Sequence, residues 1–305
     1  MPSLLSLPEI SGAELSHLVD RAVHLAGAKR FPPSLVGRAV GIYFRKSSTR
    51  TRTSFWRAAT ALGADAVTFG PDDLQLITGE TLADTARVLG GYLDLLVVRT
   101  NGDIAELRAL SEAGDLPVVN ALTEHEHPTQ VLADLTTMQE EFGEFAGQHV
   151  LYVGEGNSTA RSLAHAVAMT PGLRLTLLTP PGYGLPEDVL AIVEGLGGAG
   201  RIDQRHTLDE APTGADVVYT SRWQTMGVQK PDPDWRSLFD PFQVTEALVE
   251  RFGHPGTIFL HDLPAIRGQE VTDEMLDGPR SRAWRQAYHK MTSAMAVLEW
   301  CAGAA

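Results

Sequence analysis

Cysteine is almost absent from this sequence, since Cys301 is the single example. One cysteine forms no intrachain disulfide and supplies no multi-cysteine metal site. The chain also lacks any apolar run near the roughly 18 residues that a membrane-spanning helix requires. These absences exclude a disulfide scaffold and predict a globular protein that is not embedded in a membrane.

Basic residues are also scarce relative to acidic ones. Lys and Arg total 25 against 38 for Asp and Glu, which gives a formal net charge of -13. Such a balance argues against a broad surface for the phosphate backbone of nucleic acid. The first residues lack the basic flank and small-residue cleavage site of a secretory signal, so we expect a cytoplasmic location, with neither nucleic acid nor a membrane as partner.

The length and the hydrophobic pattern predict an α/β fold with two doubly wound parallel-sheet domains. At 305 residues the chain exceeds the usual single-domain size. Short apolar runs alternate with longer helical patterns throughout, which is typical of parallel sheets covered by helices. We predict domains at 1–143 and 144–279, with a C-terminal segment at about 280–305 packing back on the first. The predicted strands are 39–44, 66–69, 95–98, 118–120, 149–153, 174–178, 202–206, 216–219 and 257–260.

Two helical patterns mark the ends of these domains. One covers 128–142 and stops at Gly143, a typical residue after a helix C-terminus. The other covers about 280–300. Its predicted apolar face comprises Trp284, Ala287, Met291, Met295 and Leu298.

One turn concentrates groups that bind anions. The first predicted strand is followed by Ser48, Thr49, Arg50, Thr51 and Arg52, and a helical pattern begins there. Unpaired N-H groups and the positive end of a helix dipole favour an anion at such a position, and hydroxyl and guanidinium groups add directed hydrogen bonds. A Ser-Thr pair alone more often only caps a helix. The two interleaved arginines favour a phosphate site.

This turn resembles the carbamoyl-phosphate motif of the aspartate/ornithine carbamoyltransferase family. Further motifs of the family follow in the same order, and the ornithine branch is the closer match. They are Gln75 with Gly79-Glu80-Thr81, Arg99-Thr100, His127-Pro128-Thr129-Gln130, Gly154-Glu155-Gly156-Asn157, Thr225-Met226-Gly227, His261-Asp262-Leu263-Pro264 and Arg267-Gly268-Gln269-Glu270. The resemblance covers nearly the whole chain and implies an enzyme that transfers a carbamoyl group from carbamoyl phosphate to an amine.

The resemblance also implies which residues bind carbamoyl phosphate. The phosphate is implied to contact Ser48, Thr49, Arg50 and Thr51, and the carbonyl oxygen Arg99, His127 and Thr51. Gln130 is implied to hold the carbamoyl amide. Lys290 replaces an arginine of the family, so the positive charge is kept but the planar guanidinium group with its several N-H donors is lost. Gln75 is implied to reach the active site of an adjacent subunit in a homotrimer, although by itself it would be read as an exposed loop residue.

The implied acceptor site lies in the second half of the chain. Its residues are Asn157, Ser158, Ser221, Arg222, Thr225, Met226, Asp262 and Leu263. The backbone carbonyls of Asp262 and Leu263 are expected to orient the carbamoyl amide and the amine. The implied catalytic residues are Arg50, Arg99, His127, Gln130 and Asp262.

Three positions depart from the ornithine pattern. Ser158 replaces a second asparagine, Ser221 replaces an aspartate and Asp262 replaces a cysteine. Because the last two positions face each other in the family, the negative charge has been relocated rather than lost. Arg222 either pairs with Asp262, binds an acidic group of the substrate, or points to solvent. We therefore predict an acceptor other than ornithine, for example a short diamino acid.

Neither a metal nor a nucleotide cofactor is expected. His125 and His127 form a His-X-His pair, but the following Pro-Thr-Gln matches the carbamoyl-binding segment instead. The glycines at 154 and 156 lack the third glycine and the later acidic residue of a dinucleotide-binding motif. The remaining alternatives are an ordinary anabolic ornithine carbamoyltransferase and a non-catalytic paralogue that binds an anion.

Overall fold

The computed structural model describes residues 1–46, 48–224, 230 and 232–304. The chain forms two compact units, the first comprising Met1–Thr136 with Tyr288–Ala305 and the second Thr137–Ala287. None of the described helices is long and apolar enough to cross a membrane.

The first unit is built on a parallel sheet. Its strands follow the order β2-β1-β3-β4, and every neighbouring pair is parallel. The elements up to the end of this sheet are α1 (Gly12–Gly27), β1 (Ala39–Phe44), α2 (Thr49–Ala61), β2 (Asp65–Phe69), α3 (Leu82–Gly90), β3 (Leu95–Arg99), α4 (Ile104–Gly114) and β4 (Val118–Leu122). Both β3 and β4 are buried along their whole length, as expected for strands covered by helices.

The second unit contains another parallel sheet, in the order β7-β6-β5-β8-β9. Its elements follow α5 (Pro128–Phe142) and are β5 (His149–Val153), α6 (Ser158–Met169), β6 (Arg174–Leu178), α7 (Glu187–Val193), β7 (Ile202–Arg205), β8 (Ala215–Thr220), α8 (Trp235–Phe239), α9 (Glu246–Phe252), β9 (Gly253–His261) and α10 (Asp273–Asp277), and the last helix of the chain is α11 (Ala283–Cys301). The boundaries between the two units fall within α5 and α11.

The two-sheet α/β fold predicted from the sequence is confirmed. Three predicted strands, 39–44, 149–153 and 174–178, have the predicted bounds. The largest difference is β9, which begins at Gly253 rather than at 257. The prediction for β7 was one residue too long, because its neighbour β6 ends at Leu178, which pairs with Arg205.

The helix over 128–142 is also confirmed, and Gly143 follows it with a left-handed φ of 80°. The apolar face predicted for the last helix was wrong at its start, because the side chain of Trp284 is 55% exposed. Polar residues are buried there instead, since Gln286 accepts a hydrogen bond from the His261 N-H at 2.9 Å. Hydrogen bonding makes such burial tolerable.

In each sheet the chain first adds strands on one side of its first strand and then adds the later strands on the other side. In the first sheet this switch point lies between β1 and β3, and in the second between β5 and β8. Ligands of open parallel sheets bind outside the carboxyl ends of the strands at such points. Ser48 and Arg99 lie at the first of these positions, and Asn157 and Ser221 at the second.

Candidate active site

The N-terminus of α2 is arranged to receive an anion. Ser48 precedes the helix in an extended conformation, and its side chain caps no N-H group of the helix among the described residues. The first turn carries Arg50 and no acidic side chain. The N-H groups of that turn and the helix dipole therefore favour a negative group.

Arg99 links the two strand ends at this switch point. It is the last residue of β3 and is 7% exposed. Its Nη1 donates to the Ser48 hydroxyl at 3.3 Å and to the Thr51 hydroxyl at 3.5 Å. These long contacts hold the guanidinium beside the start of α2, so the structure brings together three residues that the resemblance implied.

His127 is buried immediately before α5, where its Nδ1 lies 3.4 Å from the Thr129 hydroxyl. Burial holds the pKa of this imidazole well below its ordinary value of 6.5, and the positive charges of Lys290 and Arg99 lower the pKa further. The ring is therefore neutral near pH 7. A neutral imidazole still donates one hydrogen bond through the nitrogen that carries its proton.

Gln130 and Lys290 are joined in the same unit. The Lys290 ammonium donates to Gln130 Oε1, and Gln130 Nε2 donates to Asp134 Oδ1 at 2.8 Å. Gln130 and Asp134 are fully buried, and Lys290 is 6% exposed. This chain of bonds fixes the amide orientation, while the amide keeps one further N-H and one further lone pair for a ligand.

Gln75 differs from these residues because it is exposed. It begins a short 3-10 helix, Gln75–Thr78, and its side-chain oxygen accepts from the Thr78 hydroxyl at 3.1 Å. The structure describes a single chain. The role of Gln75 in an adjacent subunit therefore stays a prediction.

The glycine loop after β5 allows a close approach of two backbone segments. Gly154 has a φ of 137°, and a Cβ at Gly156 would lie 2.5 Å from the Gly184 carbonyl carbon. Asn157 then caps α6, since its Oδ1 accepts from the N-H groups of Thr159 at 3.0 Å and Ala160 at 3.1 Å. The glycines thus serve packing and the start of a helix.

A network of four polar side chains, which we call the acceptor network, lies at the switch point of the second sheet. Asp262 Oδ2 accepts from the Thr159 hydroxyl at 2.9 Å and from the Ser221 hydroxyl at 3.0 Å. The Ser221 oxygen in turn accepts from Asn157 Nδ2 at 3.1 Å. Because the Asp262 side chain is 14% exposed, its carboxylate can still bind a cation. Sequence reasoning missed Thr159, although it directly follows the Asn-Ser pair that the motif drew attention to.

Two implied acceptor residues lie at the margin of this network, and two more lie outside the described residues. Ser158 is the half-buried first residue of α6. Arg222 is half-buried, its Nε is buried, and it has no ion pair with Asp262 among the described residues. Its role stays a prediction. Thr225 and Met226 lie outside the described residues.

The turn containing Leu263 is held by a buried His-Glu pair that sequence reasoning did not single out. The Leu263 N-H donates to His261 Nδ1 at 2.8 Å, and His261 Nε2 lies 3.1 Å from Glu270 Oε1. An acceptor at Nδ1 leaves the ring proton on Nε2, which donates to the carboxylate. Leu263 has a left-handed φ of 52°, a conformation that costs about 1 kcal/mol or more in a residue with a side chain. The pair stabilises this turn, and Glu270 lies in the Arg-Gly-Gln-Glu motif already noted.

Two family models match this chain, one over each half. The model named "Aspartate/ornithine carbamoyltransferase, carbamoyl-P binding domain" matches residues 3–140, and "Aspartate/ornithine carbamoyltransferase, Asp/Orn binding domain" matches residues 146–301. The chain belongs to the aspartate/ornithine carbamoyltransferase family. It is therefore a carbamoyltransferase enzyme, which argues against the non-catalytic paralogue.

Three similar members of this family are named ornithine carbamoyltransferase. An ornithine carbamoyltransferase of Haloquadratum walsbyi is 40% identical over 301 residues, covering 97% of this chain and 96% of that protein. One of Thermosynechococcus vestitus is 38% identical over 296 residues, covering 97% and 94%. The ornithine carbamoyltransferase structure from Pyrococcus furiosus has a TM-score of 0.90 and 36% identity, covering 98% and 96%. These names favour the ornithine alternative over the acceptor predicted first from the sequence.

Proposed function

We propose that this protein transfers the carbamoyl group of carbamoyl phosphate to the side-chain amine of ornithine. The observation that carries the proposal is the near full-length similarity to enzymes bearing that name. The acceptor network supports it, because Asp262 keeps a carboxylate within 3.0 Å of Ser221, where the ornithine pattern has its own. An amino group that arrives as an ammonium ion would find a negative partner at either position.

On this proposal the first unit binds the donor. The N-terminus of α2 receives the phosphate through its N-H groups, the hydroxyls of Ser48 and Thr51, and Arg50. Arg99 and neutral His127 donate to the carbonyl oxygen, on which negative charge develops as the amine attacks. Donors already fixed by the protein reorganise little in that step, which is why buried groups suit this role.

The second unit binds the acceptor. Asp262 attracts the ammonium form and then accepts a proton, since only the neutral amine has a lone pair for attack. The new C-N bond forms, the C-O bond to phosphate breaks, and phosphate leaves with that electron pair and takes the second proton from the attacking nitrogen. Half-buried Arg222 is available for an acidic group of the acceptor, and the Leu263 carbonyl for an N-H group.

A shorter diamine or diamino acid is the second candidate acceptor. The observation that favours it is the exchange of side chains at Ser221 and Asp262, which moves the carboxylate from position 221 to position 262, where its Oδ2 lies 3.0 Å from the Ser221 hydroxyl. An ammonium group bound by Asp262 then approaches from a different position. The optimal distance between the two amino groups of the acceptor changes accordingly.

A phosphate-release assay separates the two candidates. Carbamoyl phosphate would be supplied with ornithine, putrescine, aspartate, 2,4-diaminobutyrate or 2,3-diaminopropionate at matched concentrations, and the carbamoylated product identified by mass spectrometry. We expect the highest kcat/KM with ornithine. A clearly higher value for a shorter diamino acid would replace the first candidate by the second. Both candidates would be contradicted if none of the amines raised phosphate release above the rate measured without amine.

The assembly is a separate part of the proposal. By resemblance we propose a homotrimer in which Gln75 contributes to a neighbouring site. Its exposure in the single chain supports this, because an exposed side chain is available to a second subunit.

A further inference from the structure

The ammonium group of Lys230 is buried among aromatic rings. Its side chain is 4% exposed, and Nζ lies 4.5 Å from the ring centroid of Tyr183, 4.8 Å from that of Phe239 and 5.1 Å from that of Trp235. An ammonium is costly to remove from water unless other groups replace the lost hydration. Faces of aromatic rings within about 6 Å do so in part.

A carboxylate also contacts this lysine. Glu155 Oε1 forms an ion pair with Lys230 Nζ, and Glu155 Oε2 is buried without a hydrogen-bond partner among the described residues. Burial raises the pKa of Glu155, and the charges of Lys230 and, to a smaller degree, Arg161 oppose that rise. We call Glu155, Tyr183, Trp235 and Phe239 the ammonium cage.

The cage is packed around one ring. Phe239 is fully buried, and its centroid lies 4.8 Å from Tyr183, 5.4 Å from Trp235 and 5.5 Å from Trp223. Trp223 therefore shares a core cluster with the cage.

Glu155 of the ammonium cage and Trp223 of its core cluster are close in sequence to residues of the acceptor network. Glu155 precedes Asn157 by two residues, and Trp223 follows Ser221 by two, while Asn157 Nδ2 donates to the Ser221 oxygen at 3.1 Å. The Gly156 N-H also donates to the Tyr183 carbonyl at 2.7 Å. The cage thus supports the two strand ends from which Asn157 and Ser221 project.

We propose that Lys230 is a positioning residue, whose ammonium ties Glu155 to the aromatic cluster and so fixes the Asn157-Ser221 pair for the acceptor amine. The effect of Lys230 on catalysis rests on the proposed function, whereas the binding of its ammonium group in the cage does not depend on that function. Lys230 contacts no reacting atom in this role.

The cage is tested by amine labelling. The intact protein would be treated with an acetylating reagent, and the modification of each lysine followed by mass spectrometry, with exposed Lys29 and Lys46 as internal references. We expect Lys230 to react at least about tenfold more slowly than Lys29, because only molecules with a locally opened cage react. Glu155→Gln should speed the labelling of Lys230 alone. Equal rates for Lys230 and Lys29 in the unmodified protein would overturn the proposal.

The positioning role is tested by steady-state kinetics. Lys230→Gln should raise the KM of the acceptor about tenfold while leaving the KM of carbamoyl phosphate unchanged, since a misplaced acceptor site binds less well. Lys230→Arg should restore part of the loss, because arginine keeps the charge and stacks on aromatic rings. Lys29→Gln is the matched control, and circular dichroism establishes that each variant is folded.

A folded Lys230→Gln protein with both KM values unchanged would overturn the positioning role. So would an equal rise in the two KM values. If the unsubstituted enzyme carbamoylates no amine, the proposed function fails, and the proposal for Lys230 is then decided by the labelling rates.

Discussion

The two switch points have the same strand geometry but opposite chemical character. Arg99 and Lys290 supply positive charge to the residues of the first unit, and His127 is kept neutral beside them. In the second unit the charged member of the acceptor network is the Asp262 carboxylate, held by two hydroxyl groups. The difference teaches that a parallel sheet fixes where a ligand binds, while a few side chains decide whether that ligand is an anion or an amine.

Removing a positive charge from the first unit should have the largest effect. Arg99→Gln should lower kcat/KM by about a thousandfold, because Arg99 is proposed to bind the oxygen on which charge develops. The rate of phosphate release measures this loss. Arg108→Gln is the matched control, since Arg108 is 48% exposed and pairs with Glu9. Equal activity of the two variants would remove Arg99 from the donor site.

Removing the carboxylate from the second unit should have the next largest effect. Asp262→Asn should raise the KM of the acceptor about a hundredfold, since a charged hydrogen-bonding partner is lost, and should leave the KM of carbamoyl phosphate nearly unchanged. Both values come from steady-state kinetics with one substrate varied. Asp188→Asn, at an exposed position of the same unit, is the control. Similar changes in the two KM values would contradict the division of roles.

A smaller effect should separate the charge of Lys290 from its shape. Lys290→Met should raise the KM of carbamoyl phosphate about tenfold, because one charge is lost from the site of an anion. It should also raise the pKa of His127 toward 6.5, since the positive charge of Lys290 now lowers it. Neutral His127 is the proposed active form, so the acid limb of the pH profile should move to higher pH.

The pH profile of kcat/KM from pH 5 to 8 tests this third prediction. Lys290→Arg keeps the charge and should leave the acid limb in place. An unmoved limb in Lys290→Met would show that His127 is not the group that titrates there. Folding stability should also depend on this group. Because the pKa of His127 in the folded protein lies below its ordinary value of 6.5, the unfolded chain binds a proton at higher pH than the folded protein does. The free energy of unfolding should therefore decrease as the pH falls below 6.5.

Local sequence was sufficient for most of the fold and for part of the candidate site. Apolar runs specified β1, β5 and β6 with their bounds, because buried parallel strands depend on continuous hydrophobic character. The exposed Trp284 shows where such reasoning fails, since a helical pattern does not reveal which side meets a polar partner such as the His261 backbone.

The sequence by itself determined the fold class, the family motifs and the candidate residues for the donor, because each depends on short segments with recognisable chemistry. Only the tertiary structure decided how distant residues combine: the Asp262 carboxylate with Thr159 and Ser221, and the Lys230 ammonium with Glu155 and three aromatic rings. The physical reason is that hydrogen bonds and ion pairs act over a few ångströms. Residues far apart in sequence acquire such contacts only when the sheet brings their strand ends to one edge.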